Sequence, residues 1–159
     1  MRARDNPFAV HRVLQFRYRL TEGGWSRLLA RLKSLRYRGA IVGRQGRGKT
    51  TLLEDLAPRL ERLGFRIRYG RVESGQRSFG HADRRRSRDL TRRDVLLLDS
   101  ADELRLASWL LLRWRARRAG GLIVTSGRTG LLPTAWRAET TPALLEEMMR
   151  ALAGAELLP

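Results

Sequence analysis

One eight-residue segment limits the folds open to this chain more than any other feature of its sequence. Residues 43–50 read Gly-Arg-Gln-Gly-Arg-Gly-Lys-Thr and match the pattern G-x-x-x-x-G-K-[ST] at every fixed position. An apolar run, residues 40–42, precedes the segment, and leucines at helical spacing follow it. A glycine-rich loop between a strand and a helix directs backbone N–H groups and the positive end of the helix dipole towards one point. The sequence therefore predicts a site for phosphate groups.

The fixed positions of this loop have separate expected roles. Lys49 places a cation between two phosphate groups, and the hydroxyl of Thr50 is an oxygen ligand suited to Mg²⁺. Arg44 and Arg47 stand at variable positions, so we expect their side chains to be exposed to solvent. The residues predicted to bind a nucleotide through its phosphates are Gly43, Arg44, Gln45, Gly46, Arg47, Gly48, Lys49, Thr50 and Thr51.

The rest of the chain alternates short apolar runs with helical patterns, which is typical of a parallel sheet covered by helices. Strands are predicted at residues 40–42, 65–72, 95–98 and 122–125, with an edge strand at 135–138. We divide the chain into a basic N-terminal extension, residues 1–38, and a core, residues 39–159. A break at Gly23 and Gly24 is expected to precede an amphipathic helix in the extension. The apolar residues of that helix are Trp25, Leu28, Leu29, Leu32 and Leu35.

Three further helices are predicted from apolar spacing. Gly64 is expected to end the first, and Pro58 to kink or divide it. The inner face of this helix is predicted to be Leu52, Leu53, Leu56, Leu60 and Leu63. The inner face of the second is predicted to be Leu104, Ala107, Leu110, Leu111 and Trp114. The last helix follows Thr141 and Pro142, and its apolar residues are Leu144, Leu145, Met148, Met149 and Leu152.

Acidic residues after the third predicted strand complete the candidate site. Four apolar residues precede Asp99, so its carboxylate is expected at the ligand end of a parallel sheet, where it holds Mg²⁺ together with Thr50. Asp102 and Glu103 follow, and either carboxylate can orient or deprotonate an attacking water. Ser100 and Glu103 also fit a capping box for the next helix, so base and cap both stay open for Glu103.

Polar residues after the fourth predicted strand extend the site. The hydroxyls of Thr125 and Ser126 are placed to sense a terminal phosphate if this strand lies between the first and the third. Arg128 lies close behind them and can stabilise charge that develops on a phosphate.

Composition excludes several kinds of chemistry. The chain has 159 residues, a formal net charge of +17, no cysteine and two histidines. Disulfides, cysteine nucleophiles, thiolate zinc sites and a histidine metal cluster are therefore excluded. The charge attracts polyanions, which keeps nucleic acid among the candidate partners. No apolar run approaches the roughly 20 residues of a membrane span, and the first residues lack a signal-peptide pattern, so we expect a cytoplasmic protein with no membrane attachment.

These motifs resemble the P-loop NTPases of the additional-strand class over about residues 39–125. The run from Asp99 to Leu104, Asp-Ser-Ala-Asp-Glu-Leu, is most similar to the AAA+ and STAND (NACHT-like) ATPases. The resemblance implies an α/β fold with a three-layer parallel sheet in the strand order 5-1-4-3-2. It also implies ATP and Mg²⁺ as ligands, with Lys49 and Thr50 on phosphate and metal, and Asp99 on the metal.

Two features depart from the AAA+ pattern. Ser100 stands where AAA+ proteins usually carry the catalytic glutamate, so the expected catalytic residues are Glu103 and Asp102, together with Lys49. The sequence ends at Pro159 without the helical lid that carries the second sensor arginine of AAA+ proteins, so no such lid is expected.

The resemblance and the composition together favour adenine as the base. Phe8 belongs to a short segment similar to one that packs near adenine in several AAA+ proteins, which makes it a candidate cofactor-binding residue. GTPases read guanine with an N-K-x-D motif, but the single asparagine is Asn6 and the only lysines are Lys33 and Lys49. We therefore expect ATP rather than GTP.

The favoured function is Mg²⁺-dependent ATP hydrolysis coupled to a conformational or nucleic-acid-associated role. One alternative is a switch that binds ATP without hydrolysing it. The other is a small-molecule kinase in which arginines of residues 84–93 form a mobile lid. Nucleic acid, another polyanion and a protein stay open as partners.

Overall fold

A computed structural model describes residues 20–73 and 87–139 of the chain. The elements along these residues are α1 (Glu22–Ser34), β1 (Arg38–Val42), α2 (Lys49–Arg62), β2 (Arg66–Arg71), β3 (Asp94–Asp99), a 3₁₀ turn (Ala101–Glu103), α3 (Leu106–Arg115), a second 3₁₀ turn (Ala116–Arg118), β4 (Gly121–Ser126) and β5 (Thr134–Arg137). Each predicted strand is present, with its ends displaced by at most two residues. Phe8, residues 84–86 of the predicted lid and the predicted C-terminal helix lie outside the described residues. Within the described ranges, every helix is too short or too polar to cross a membrane.

The strands form one sheet in the order β2-β3-β4-β1-β5, and each neighbouring pair is parallel. Read from the β5 edge, this order is 5-1-4-3-2. Side chains alternate across each strand, so the sheet presents one apolar cluster on each face. α1 and α2 pack on the cluster that contains Ile41, Leu97 and Ile123, whereas α3 packs on the one that contains Val42 and Leu98. The predicted α/β class, a parallel sheet between layers of helices, is confirmed.

α1 includes the two glycines that were expected to precede it. The predicted break is wrong, because Gly23 and Gly24 lie in the first turn of the helix. The hydroxyl of Thr21 accepts a hydrogen bond from the N–H of Gly24 (3.2 Å), and this cap allows the helix to begin at Glu22. Trp25, Leu28 and Leu32 are buried against the sheet, and Leu29 and Leu35 are half-buried beside them. This part of the N-terminal segment is therefore built into the core.

α2 runs through Pro58 as one helix, so the predicted division is wrong. Proline removes one helical hydrogen bond, but fully buried leucines on both sides of it hold the helix against the sheet. The predicted end at Gly64 is confirmed, and its φ of 92° is a conformation that favours glycine. The N–H groups of Gly64 and Phe65 close the helix on the carbonyls of Glu61 and Leu60, at 2.9 and 3.2 Å.

α3 buries a different face from the one predicted. Trp109 and Leu112 are buried, and so is Ala116 just beyond the helix. The predicted inner residues Leu110 and Trp114 are 51% and 62% exposed. The sequence of α3 is apolar on nearly every side, so the spacing of its leucines fits two faces equally well. The 3₁₀ turn precedes α3, which begins at Leu106.

Two neighbouring leucines of α3 test this orientation. We expect Leu112→Ala to lower the free energy of unfolding by about 2–5 kcal/mol. The Leu112 side chain is 2% exposed, and its removal leaves a cavity in the core. Leu110→Ala makes the same chemical change at a side chain that is 51% exposed, and we expect a change within about 0.5 kcal/mol. Urea denaturation of both variants measures the difference. Equal losses in the two variants would contradict the orientation of α3.

Asp94 organises the amino end of β3, away from the loop of residues 43–50. Its carboxylate is fully buried and accepts hydrogen bonds from the N–H and hydroxyl of Thr91, both at 2.7 Å. Arg66 and Arg68 of β2 form ion pairs with it at 3.1 and 3.3 Å. Burial alone raises the pKa of Asp94, but the hydrogen bonds from Thr91 and Arg68 and the charge of Arg66 outweigh it and lower this pKa. The network therefore joins β2, β3 and the turn before β3.

The lowered pKa predicts a pH-dependent contribution of Asp94 to stability. A carboxyl whose pKa is lower in the folded state stabilises the fold above its unfolded pKa and loses this effect as pH falls through the folded value. We expect Asp94→Asn to cost about 2–3 kcal/mol at neutral pH, because buried donors lose a charged acceptor. The cost should begin to shrink below about pH 4, where the carboxyl of the unfolded chain takes up a proton, and should shrink further as pH falls towards the lower pKa of the folded state. Urea denaturation of both proteins from pH 7 to pH 3 measures it, and a constant difference would contradict the prediction.

Candidate phosphate-binding site

The loop of residues 43–50 leaves β1 at the carboxyl end of the sheet. Gly43 donates a hydrogen bond from its N–H to the carbonyl of Ser126 in β4 (3.1 Å). A Cβ atom at Gly43 would stand 2.5 Å from the carbonyl oxygen of Ala138, so only glycine fits there. Gly46 and Gly48 have φ values of 79° and 71°, which a side chain would strain. Each of the three glycines in residues 43–50 is therefore required by a close contact or by its backbone conformation.

The first turn of α2 faces this loop and carries unpaired donors. The helix begins at Lys49, and Gly48 at its N-cap has no side chain to satisfy the first turn. The first helical hydrogen bond of α2 runs from the N–H of Leu52 to the carbonyl of Gly48 (2.9 Å). The N–H groups of Lys49, Thr50 and Thr51 consequently have no helical acceptor, which is the arrangement that binds an anion at a helix start.

Lys49 closes the loop from inside. Its Nζ donates to the carbonyl oxygens of Gly43 (2.6 Å) and Arg44 (2.8 Å). Burial lowers the pKa of Lys49, and the charges of Asp102 and Asp99 partly oppose this shift. The ammonium group is thus held by two carbonyl oxygens of the loop and lies within the influence of Asp99 and Asp102.

Asp99 joins the loop to the centre of the sheet. It is the last residue of β3 and is 2% exposed. Its Oδ2 accepts a hydrogen bond from the Thr50 hydroxyl (2.9 Å), and its Oδ1 accepts one from the Thr125 hydroxyl. Arg71 donates to the same Oδ2 from Nε (3.1 Å) and Nη2 (3.0 Å). The structure therefore brings together Thr50 and Asp99, the two residues predicted to hold a metal.

Ser100 turns the chain away from β3 in a left-handed conformation, with a φ of 60°. Its N–H donates to the Thr125 hydroxyl (2.8 Å). The predicted capping box between Ser100 and Glu103 is wrong, because the Ser100 side chain makes no cap. α3 starts only at Leu106, after the 3₁₀ turn, with Arg105 at its N-cap. The cap explanation for Glu103 therefore falls.

The two candidate catalytic carboxylates occupy different surroundings. Asp102 is half-buried, and its Oδ2 accepts a hydrogen bond from the N–H of Gly127 (2.8 Å) in the segment after β4. Its charge also acts on Lys49. Glu103 is exposed on the 3₁₀ turn. The structure thus brings Asp102, rather than Glu103, towards the loop.

β4 lies between β1 and β3, which is the condition set for phosphate sensing by Thr125 and Ser126. Thr125 is fully buried, and its hydroxyl links Asp99 to Ser100. The Ser126 hydroxyl donates to the carbonyl of Arg128 (2.6 Å) and accepts from its N–H (3.1 Å). Both hydroxyls therefore hold the strand ends in place, and phosphate sensing stays a prediction.

A cleft of about 550 Å³ opens beside the loop. Its lining includes Arg44 and Arg47 of the loop, Arg128 after β4 and Arg137 of β5. Arg44 is exposed, as expected, but Arg47 is half-buried. The cleft is thus a basic recess that borders the loop at Gly43, Arg44 and Arg47. Gln45 and Gly46 form the exposed tip of the loop.

Arg71 is the site residue that the sequence did not reveal. It ends β2, and the register of the parallel pair places it opposite Asp99. Hydrogen bonding to Asp99 is the main reason that the pKa of Arg71 is raised. One signal was available: β2 and β3 both end at the same edge of the sheet, so the last residues of the two strands are neighbours.

The oxygen donors of this site suit Mg²⁺. Thr50 and Asp99 supply a hydroxyl and a carboxylate, the hard ligands that Mg²⁺ takes alongside water and phosphate oxygens. Within residues 20–73 and 87–139, no three histidine or acidic side chains form a metal cluster of their own. A metal at these two residues would take its other ligands from water or from the phosphates of a bound ligand.

Comparison of the sequence with protein-family models and with curated proteins finds no match.

Proposed function

We propose that this chain is a P-loop NTPase that binds ATP with Mg²⁺ at residues 43–51 and hydrolyses it. The hydrogen bond between Thr50 and Asp99 (2.9 Å) carries the proposal. These residues are 49 positions apart in sequence and belong to different elements. Their meeting beside a glycine-rich loop is what a site for Mg²⁺ and phosphate requires.

The sheet supports the same proposal. Ligands of open parallel sheets bind beyond the carboxyl ends of the strands, where neighbouring connections leave on opposite faces. The loop leaves β1 there towards α2, whereas the chain after β3, on the far side of β4, continues to α3 on the other face. The order 5-1-4-3-2 is the one implied by the resemblance to AAA+ and STAND ATPases.

In the proposed site, each group has a chemical task. The N–H groups at the start of α2 and the ammonium of Lys49 bind phosphate oxygens. Thr50 and Asp99 hold Mg²⁺, which neutralises charge on the terminal phosphates when it is bound. Asp102 orients the attacking water and accepts its proton. The N–H of Gly127 fixes the direction of this carboxylate (2.8 Å).

Calorimetry with ATP and GTP in excess Mg²⁺ tests the binding step. We expect saturable binding of ATP and weaker binding of GTP, because the chain has no N-K-x-D motif. Lack of ATP binding would overturn the proposal.

A hydrolysis assay with added DNA, RNA or small-molecule acceptors separates the favoured function from its alternatives. Stimulation by nucleic acid supports a polyanion-coupled ATPase, for which the net charge of +17 is the specific argument. ADP formation only with an acceptor supports a kinase. Tight binding without turnover supports a switch.

A further inference from the structure

Arg71 occupies the side of Asp99 that faces the loop of residues 43–50. Nε and Nη2 of Arg71 both donate to Oδ2, at 3.1 and 3.0 Å, and the Thr50 hydroxyl donates to the same oxygen at 2.9 Å. The other oxygen, Oδ1, is bound by Thr125. Oδ2 is therefore the oxygen available to a metal that also binds Thr50, and a guanidinium group already stands on it.

The two partners of this ion pair differ in their freedom to move. The side chain of Asp99 is 3% exposed and anchored by Thr125, whereas the side chain of Arg71 is 55% exposed. Arg71 lies on β2, which is an edge strand of the described sheet, so its guanidinium can turn into solvent without disturbing the core. Asp99 has no comparable movement. A cation that binds Oδ2 must therefore displace Arg71, because Asp99 stays in its position.

We infer that Arg71 is the counter-ion that Mg²⁺ displaces from Asp99, and that it thereby determines how strongly nucleotide binding depends on Mg²⁺. The inference rests on the proposed function. Without a metal, Arg71 neutralises Asp99 and limits the repulsion between this carboxylate and the phosphates. With Mg²⁺, the same arginine competes with the metal for Oδ2. Both effects reduce the difference in nucleotide affinity between metal-free and metal-containing solution.

The test compares the affinity for a non-hydrolysable ATP analogue in EDTA with that in excess Mg²⁺. The measured quantity is the dissociation constant in EDTA divided by the dissociation constant in excess Mg²⁺. We expect Arg71→Ala to raise this ratio by about tenfold, equivalent to about 1.4 kcal/mol. Arg71→Lys retains a competing cation and should keep the ratio within about threefold of wild type. Arg68→Ala is the matched control, because it removes an arginine of the same strand that pairs with Asp94 instead. Its ratio should equal that of wild type.

The contrary outcomes are distinct. An unchanged ratio in a folded Arg71→Ala protein overturns the inference. If the ratio is unchanged because both affinities fall equally, Arg71 is a direct phosphate ligand rather than the counter-ion of Asp99. If the wild type and Arg68→Ala bind no nucleotide under either condition, the proposed function fails as well. Circular dichroism establishes folding, and Arg71→Gln provides a second neutral variant if Arg71→Ala does not fold.

Discussion

Replacing Lys49 by alanine is expected to lower the affinity for ATP by at least about 100-fold, equivalent to about 2.7 kcal/mol. The ammonium group of Lys49 donates hydrogen bonds to two carbonyl oxygens of the loop, at 2.6 and 2.8 Å. When a nucleotide binds, the ammonium group donates charge-assisted hydrogen bonds to its phosphate oxygens. Alanine has no group that can replace these bonds. Calorimetry with ATP and Mg²⁺ measures the loss.

Lys33→Ala is the matched control for this experiment. Lys33 is the only other lysine of the chain and lies exposed in the last turn of α1, so its removal changes the net charge equally. If general attraction by the basic protein held the nucleotide, both variants would lose affinity to the same extent. We expect loss only in Lys49→Ala. Its free energy of unfolding should change by less than about 1 kcal/mol, because only hydrogen bonds within the loop disappear.

The positions of the loop of residues 43–50 and of Asp99 were predictable because the information is local. Each depends on a short run of residues next to an apolar strand, and parallel strands place their carboxyl ends at one edge of a sheet. The hydrogen bond between Thr50 and Asp99 follows from these two runs together. The strand positions were predictable for a related reason, since short apolar runs bounded by polar residues leave few other choices.

The orientation of α3 was not predictable from spacing. Its sequence offers apolar residues on nearly every side, and hydrophobic periodicity cannot choose between Trp109 and Leu110 as the buried neighbour. Before the helix begins, Ser100 takes a left-handed backbone conformation and the chain forms a 3₁₀ turn. A non-glycine residue in that conformation is uncommon, so no pattern in the sequence predicts it.

The neighbours of the predicted acids were harder to predict from the sequence. Arg71 is one of 31 arginines, and only the β2–β3 register distinguishes it from the others. Asp102 gains its position from the N–H of Gly127, a contact between segments 25 residues apart. Interactions of this kind depend on the packing of connections rather than on a motif. They decide which of two adjacent carboxylates faces the loop.

Asp102→Asn is expected to reduce ATP hydrolysis by about 10²–10⁴-fold, the usual size of a lost general base, while ATP still binds. The amide oxygen of asparagine can still accept the hydrogen bond from Gly127, so the segment after β4 should keep its position. What disappears is the negative charge that accepts a proton. Single-turnover kinetics together with calorimetry separates this loss from a loss of binding.

Glu103→Gln is the matched comparison, because it makes the same carboxylate-to-amide change one residue further along the 3₁₀ turn. Glu103 is exposed and the predicted cap is not formed, so we expect both hydrolysis and stability to stay close to wild type. If Glu103→Gln loses turnover and Asp102→Asn does not, Glu103 is the base and the turn must reorient when nucleotide binds. If both variants hydrolyse ATP at the wild-type rate, neither carboxylate is the base. A wild-type protein that binds ATP without turnover would leave the chain as a nucleotide-dependent switch.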